Sequence, residues 1–168
     1  MRQVLFMLVA SLLAGCVTTG PTVSFDYYEK YSGGRHYHTG IDIDQPFGTA
    51  IYAATDGVVK RAQTGSAYAV SKAVTIDHGG DIFTDYQHMD TVLVSTGQSV
   101  RRGEKIGTVG MSGGQGGFAS HLETKKPHLH FEVLKGSSTR DPKLFIVGCL
   151  DKKRIYKPLE MIWPTGCP

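Results

Sequence analysis

The chain has 168 residues, a formal charge of +3 and 21 glycines dispersed along its length. That length supports one domain with a real core and is short for two. The charge is mild, +2 once Arg2 is set aside, and no Lys/Arg cluster with interleaved aromatics appears, so no nucleic-acid partner is expected. Dispersed glycine above the ordinary share of about 7 % suits a turn-rich β protein better than a linker.

Residues 1–15 read as an export signal, with Arg2 as the charged start and Val4 to Leu13 as an apolar run too short to span a bilayer. The run ends in Leu13-Ala14-Gly15-Cys16, which resembles a bacterial lipobox and makes Cys16 the expected lipidated first residue of the mature chain. Such an anchor holds a domain at a membrane surface without inserting it. A plain signal peptide with a coincidental cysteine is the bland alternative. Residues 16–32 then form the lipidated start and a tether, whose aromatics Phe25, Tyr27, Tyr28 and Tyr31 should pack on the domain.

The next stretch, Gly33 to Asp44, ends in alternation: Ile41 and Ile43 face one way, Asp42 and Asp44 the other. Gly40 and this alternation favour a loop entering a strand, so the turn must fold His38 back beside Asp42. A series of short strands follows. Ala50–Ala54 and Val58–Lys60 flank Thr55-Asp56-Gly57, a hairpin signal. Ala73–Asp77 and Ile82–His88 read as a second hairpin, with Tyr86 and His88 on one face. Val92–Val94, Ser99-Val100 and Lys105–Gly110 continue the pattern through turns at Gly97 and Gly103.

Residues 111–126 are glycine-rich and read as a surface loop flanking a cleft. Pro127-His128-Leu129-His130-Phe131-Glu132-Val133 follows. As a strand it sends Leu129, Phe131 and Val133 to a core, and His128, His130 and Glu132 to the opposite face. Asp141-Pro142 is a capped start for one short helical turn. In the tail, 148–168, Lys152-Lys153-Arg154 reads as a solvated turn, while Ile155, Tyr156, Leu159, Ile162 and Trp163 should cover one side of the sheet. Cys149 and Cys167 are the thiols left to an exported chain, and an even pair in an oxidising compartment is expected to bridge, worth roughly 3 kcal/mol.

Two imidazoles on one strand face suit a metal or acid–base site, although paired surface histidines also occur without function. With His38 and Asp42, one of them completes two His and one carboxylate, an accepted set for a hydrolytic zinc that keeps a fourth position open. Strand geometry leaves open whether His128, His130 or both bind a metal.

With these motifs in hand, residues 33–147 resemble the lysostaphin/LytM-type zinc endopeptidases, peptidase family M23. The resemblance rests on H-T-G-I-D at 38–42, G-T-A-I-Y-A-A-T-D-G-V-V at 48–59, Y-Q-H-M at 86–89, G-Q-S-V-R-R-G-E-K-I-G at 97–107 and P-H-L-H-F-E-V at 127–133. It implies His38, Asp42 and His130 as ligands of Zn²⁺, and His128 and His88 as catalytic histidines. The implied fold is all-β, a small antiparallel, sandwich-like domain with a metal-containing groove and little helix. That agrees with the strands read above. His36, His78 and His121 match no position of the family pattern and are expected on the solvated surface. Tyr28 or Tyr31 is placed to add a hydrogen bond near the groove, without an assigned role.

The family's substrates are the peptides of bacterial peptidoglycan, so the resemblance implies a D,D-endopeptidase cutting the D-Ala–diaminopimelate cross-link. The expected place is the cell envelope, on the outer membrane facing the periplasm, as a monomer. The alternative is a non-catalytic LytM-like activator of a cell-wall amidase. Such proteins lose ligands or catalytic histidines, and here all five residues are present.

Overall fold

A computed structural model describes residues 21–31, 34, 36–65, 71–113 and 126–167. The export signal, Cys16, His121 and most of the 111–126 loop lie outside the described residues. The strands are β1 (Val23–Phe25), β2 (Ile41–Asp44), β3 (Ala50–Tyr52), β4 (Gly57–Gln63), β5 (Ala73–Asp77), β6 (Ile82–Gln87), β7 (Met89–Val92), β8 (Ser99–Val100), β9 (Lys105–Val109), β10 (His128–Lys135), β11 (Ser138–Arg140), β12 (Ile146–Gly148) and β13 (Met161–Ile162). The main sheet runs β1-β2-β10-β6-β5-β4-β8, with β11 paired to β10. A smaller antiparallel sheet runs β3-β9-β7. The expected all-β, antiparallel class is what is observed.

Alternation builds the core. Leu129, Phe131 and Val133 are each 0 % exposed, because β10 runs through the sheet between β2 and β6 and buries every second residue. Ile41, Ile43, Val74, Ile76 and Tyr86 join them from neighbouring strands, and Ile51, Met89, Ile106 and Val109 close over them from the smaller sheet. The Tyr86 hydroxyl, inside this core, accepts from the Ala54 N–H at 2.9 Å and lies 3.2 Å from Thr84 Oγ1, so burial leaves it satisfied. β1 pairs with β2, carrying the sheet back into the stretch read as lead-in. The turn Pro142–Leu144 forms as expected, capped by Asp141.

Three expectations fail, each for a tertiary reason. Thr55-Asp56-Gly57 does not close a hairpin: β3 joins the small sheet and β4 the main one. Gly57 is needed for space instead, since a Cβ there would lie 2.5 Å from the Asp77 carbonyl oxygen and 2.7 Å from His78 Nδ1. His78 is not a solvated surface residue. Its Nδ1 donates to the Asp56 carbonyl at 2.6 Å and its Nε2 lies 2.8 Å from Thr84 Oγ1, and burial holds its pKa down. Ile155 is 95 % exposed, just beyond the turn in which the Lys153 N–H donates to Asp151 Oδ1. The tail covers the core with Met161, Leu159 and Trp163 instead. Cys149 and Cys167 are bridged, with Cα atoms 5.8 Å apart.

Candidate metal centre

The register of β2 on β10 sets His130 opposite Asp42 and His128 opposite Asp44. Residues directly opposite share a face, so the outward carboxylate of Asp42 meets the outward imidazole of His130. His38 reaches the same point from the preceding turn. That turn can pass close to β10 only because residue 40 is glycine: a Cβ there would lie 2.4 Å from the Phe131 carbonyl oxygen and 2.9 Å from Glu132 Cγ. The three candidate ligand atoms form a tight triangle. His38 Nε2 is 3.2 Å from Asp42 Oδ1 and 2.9 Å from His130 Nδ1, and His130 Nδ1 is 2.8 Å from Asp42 Oδ1.

His88 arrives by a different device. Strict alternation would put it on the core face with Tyr86, as the sequence suggested. Instead His88 adopts φ +63°, a left-handed conformation uncommon outside glycine. Its N–H donates to Ser71 Oγ at 2.9 Å. The ring lands on the outer face, its centroid 4.9 Å from that of His128 and 5.9 Å from that of His130. His36 is exposed.

Each of the four clustered histidines has one ring nitrogen tied to an acceptor. His38 Nδ1 donates to the Asp26 carbonyl (2.9 Å), His128 Nδ1 to the Lys126 carbonyl (2.9 Å) and His88 Nδ1 to the Ser112 carbonyl (2.8 Å). His130 Nε2 lies 2.9 Å from Glu132 Oε1. A carbonyl only accepts, so these contacts fix which nitrogen carries the proton and leave the other as a lone pair. The lone pairs of His38 and His130 converge on one point beside Asp42. A proton on His130 or a cation between them satisfies that arrangement; neutral rings alone do not.

Sequence reasoning missed Glu132, although it stands two residues from His130 on the same face, which was the available signal. Its Oε1 also accepts from Thr39 Oγ1 at 2.5 Å. It is the outer partner that orients a ligating imidazole in many metal sites.

The electrostatics agree. Burial would push the Asp42 carboxyl up, but its hydrogen bonds to His130 and His38 outweigh it and hold the group well below the usual carboxylate range. Burial would lower His130, yet Asp42 and Glu132 raise it to about 9. Burial, then the neighbouring His128 and His130, bring His88 down to about 4. Among the described residues, Asp42 Oδ2 and His128 Nε2 are buried with no hydrogen-bond partner, and they lie 3.9 Å apart. The donor set fits zinc: at bond lengths of about 2.0–2.1 Å, tetrahedral ligand atoms stand about 3.3 Å apart, close to the triangle found here. His38, Asp42 and His130 are the group of the described residues that brings three ligand atoms within 4.8 Å of one another.

The sequence profile of peptidase family M23 matches residues 36–142. The chain belongs to this family. All five clustered residues fall inside the matched stretch. Peptidoglycan DD-endopeptidase ShyA of Vibrio cholerae is 38 % identical over 97 residues, covering 58 % of this chain and 20 % of ShyA. Murein hydrolase activator NlpD of Salmonella typhimurium is 36 % identical over 112 residues, covering 66 % of this chain and 26 % of NlpD. The crystal structure of a zinc containing peptidase from Vibrio cholerae matches with a TM-score of 0.60 and 32 % identity, over 72 % of this chain and 35 % of that one. This M23 chain therefore spans roughly a fifth to a third of the length of these relatives.

Proposed function

We propose that the chain is a zinc-dependent endopeptidase that cuts peptide cross-links of bacterial peptidoglycan. The observation that carries this reading is the convergence of two imidazole lone pairs and one carboxylate on a point, with further histidines beside it. His38, Asp42 and His130 would hold the metal. A zinc ion there would supply a Lewis acid for activating water and polarising the scissile carbonyl.

The chain's own residues then handle substrate and proton. His128 Nε2 carries a lone pair aimed into the site, its ring held by the Lys126 carbonyl, and it serves as general base. His88, kept neutral at physiological pH by burial, presents a lone pair of the same kind, because its Nδ1 proton is committed to the Ser112 carbonyl. With Nδ1 committed, its other ring nitrogen is the one left to act, passing the proton that His128 takes from the attacking water on to the leaving amine or holding it against the oxyanion.

The likeness to the DD-endopeptidase ShyA supports the D-Ala–diaminopimelate bond as the target. The place of action is the cell envelope, with lipid on Cys16 holding a monomer to the outer membrane on its periplasmic face. The second reading, a non-catalytic activator of an amidase, has the likeness to NlpD in its favour and the complete set of five residues against it.

The test uses the full chain with its metal counted, incubated with cross-linked muropeptides with and without chelator, and products weighed by mass spectrometry. Chelator-sensitive conversion of dimers to monomers is the expected result and identifies the bond. Absence of both zinc and cleavage, with stimulation of an amidase, would establish the second reading.

A further inference from the structure

The outer face of the main sheet continues past the metal centre into a second cluster of polar groups. Glu132 stands opposite Asp85, Asp85 opposite Thr75 and Thr75 opposite Arg61, while Leu134 stands opposite Phe83. Because Glu132 and Leu134 follow His130 at intervals of two, this row shares the face of the catalytic histidines.

The end of the row depends on a bulge. Regular alternation in β4 would send Lys60 outward and Arg61 to the core. The register instead shifts between Val59 and Arg61, and an extra residue in one strand re-aims the side chains around it. Val59 stays in the core and Ala62 packs against it, while Lys60 and Arg61 are both exposed. Two consecutive cations thus stand on one face.

With Thr75, Phe83, Asp85 and Leu134 they line a pocket of about 380 Å³. Its parts are chemically distinct. Asp85 is buried and held rigidly, accepting from Thr75 Oγ1 at 2.6 Å and from Gln87 Nε2 at 2.8 Å. The Arg61 guanidinium is 52 % exposed and 3.5 Å from Asp85 through Nη2. Its Nε and Nη1 donate to Thr75 Oγ1 at 3.3 Å and Gln63 Oε1 at 2.8 Å, contacts that fix the orientation of the group and leave its remaining N–H donors for a ligand. Lys60 Nζ lies 4.3 Å from the centroid of the Phe83 ring. Phe83 and Leu134 supply an apolar floor.

We propose that this pocket is a substrate subsite for an α-amino-acid head, ammonium and carboxylate on one carbon, carried on an aliphatic chain. Asp85 takes the ammonium, the Arg61 fork and Lys60 take the carboxylate, and Phe83 with Leu134 packs the methylenes. In a peptidoglycan substrate this head is the free end of an un-cross-linked diaminopimelate, so the inference rests on the peptidoglycan reading above. Leu134 is four residues along β10 from His130, about 13 Å at strand rise. An extended peptide of about four residues therefore reaches from the metal centre to the pocket, and scission and recognition can engage one substrate at once.

The test compares two synthetic tripeptides binding to the metal-loaded full chain: L-alanyl-γ-D-glutamyl-meso-diaminopimelate, and the same peptide with L-lysine, which lacks only the distal carboxylate. The diaminopimelate peptide should bind about tenfold tighter, the scale of one charge-assisted pair. Arg61→Ala and Lys60→Ala, both at exposed positions, should each shrink that preference, and Lys60→Arg should retain it. Equal affinities, a preference untouched in both alanine variants, or no binding of either peptide would overturn the subsite. Neither peptide has a cross-link to cut, so the two readings fail separately. Cleavage of muropeptides without the preference removes the subsite alone; the preference without cleavage removes the endopeptidase alone.

Discussion

The two faces of β10 differ in what they demand of their side chains. On the inner face Leu129, Phe131 and Val133 are fully buried and exclude water; their shape matters, and no atom of theirs needs a particular partner. On the outer face His128, His130 and Glu132 are each defined by a hydrogen bond: to the Lys126 carbonyl, to Asp42 and Glu132, and to Thr39. Stability resides on the inner face and chemistry on the outer one. A strand suits this division because adjacent residues, 3.3 Å apart along the chain, point into different media.

Substitutions on the outer face should therefore abolish function before they disturb the fold. His130→Ala is expected to lose zinc and all hydrolysis while still folding cooperatively, less stable than the metal-free wild type by the lost His130–Asp42 pair. His128→Ala should keep stoichiometric zinc and lose about 10²–10⁴-fold in rate. Complete zinc loss in His128→Ala would sink the division of roles between the two histidines.

The inner face should behave in the opposite way. Phe131→Ala is expected to cost about 3–5 kcal/mol in urea unfolding, with the folded fraction still binding zinc. A loss below that of Glu132→Ala would break the contrast between the faces.

Glu132→Gln sharpens it further. This variant keeps the size of the side chain and removes the charge that orients His130, so zinc affinity should fall about 10–100-fold, while the fold is kept. Unchanged affinity in a chelator competition would show that Thr39 and packing alone hold the ring.

The smallest expected effect is the pH dependence. His130 in the metal-free protein is raised to about 9 by Asp42 and Glu132 against the effect of burial, above its ordinary value of about 6.5. The stability this contributes is fully present below about pH 6.5 and is lost as pH rises through about 9. Zinc competes with that proton, so zinc affinity should climb with pH towards 9, and uptake at pH 7 should release about one proton. Calorimetry in buffers of different ionisation heat measures the release; none at pH 7 contradicts the assignment.

Much of the site was legible in advance because its signals are local. The alternation in β10 and β2 named both the core residues and the outward His and Asp. The resemblance to family M23 implies a ligating His130 and a proton-handling His128, a division that alternation alone leaves open. His88 shows the limit. Its face follows from a left-handed residue held by Ser71, seventeen positions away in sequence, and alternation predicts the wrong side. The Asp-Gly hairpin fails for the same kind of reason: Gly57 answers to Asp77 and His78 across the sheet, not to its own turn.

The sequence by itself determined the strand-rich class, the inner face of each strand and the residue types able to hold a metal, because side-chain alternation and ligand chemistry are local properties. Only the tertiary structure decided which ring nitrogen faces the site, that Glu132 backs His130, and that a bulge sets Lys60 beside Arg61. Those outcomes depend on carbonyls, hydroxyls and strand registers supplied by distant parts of the chain, whose positions exist only once the sheets have packed.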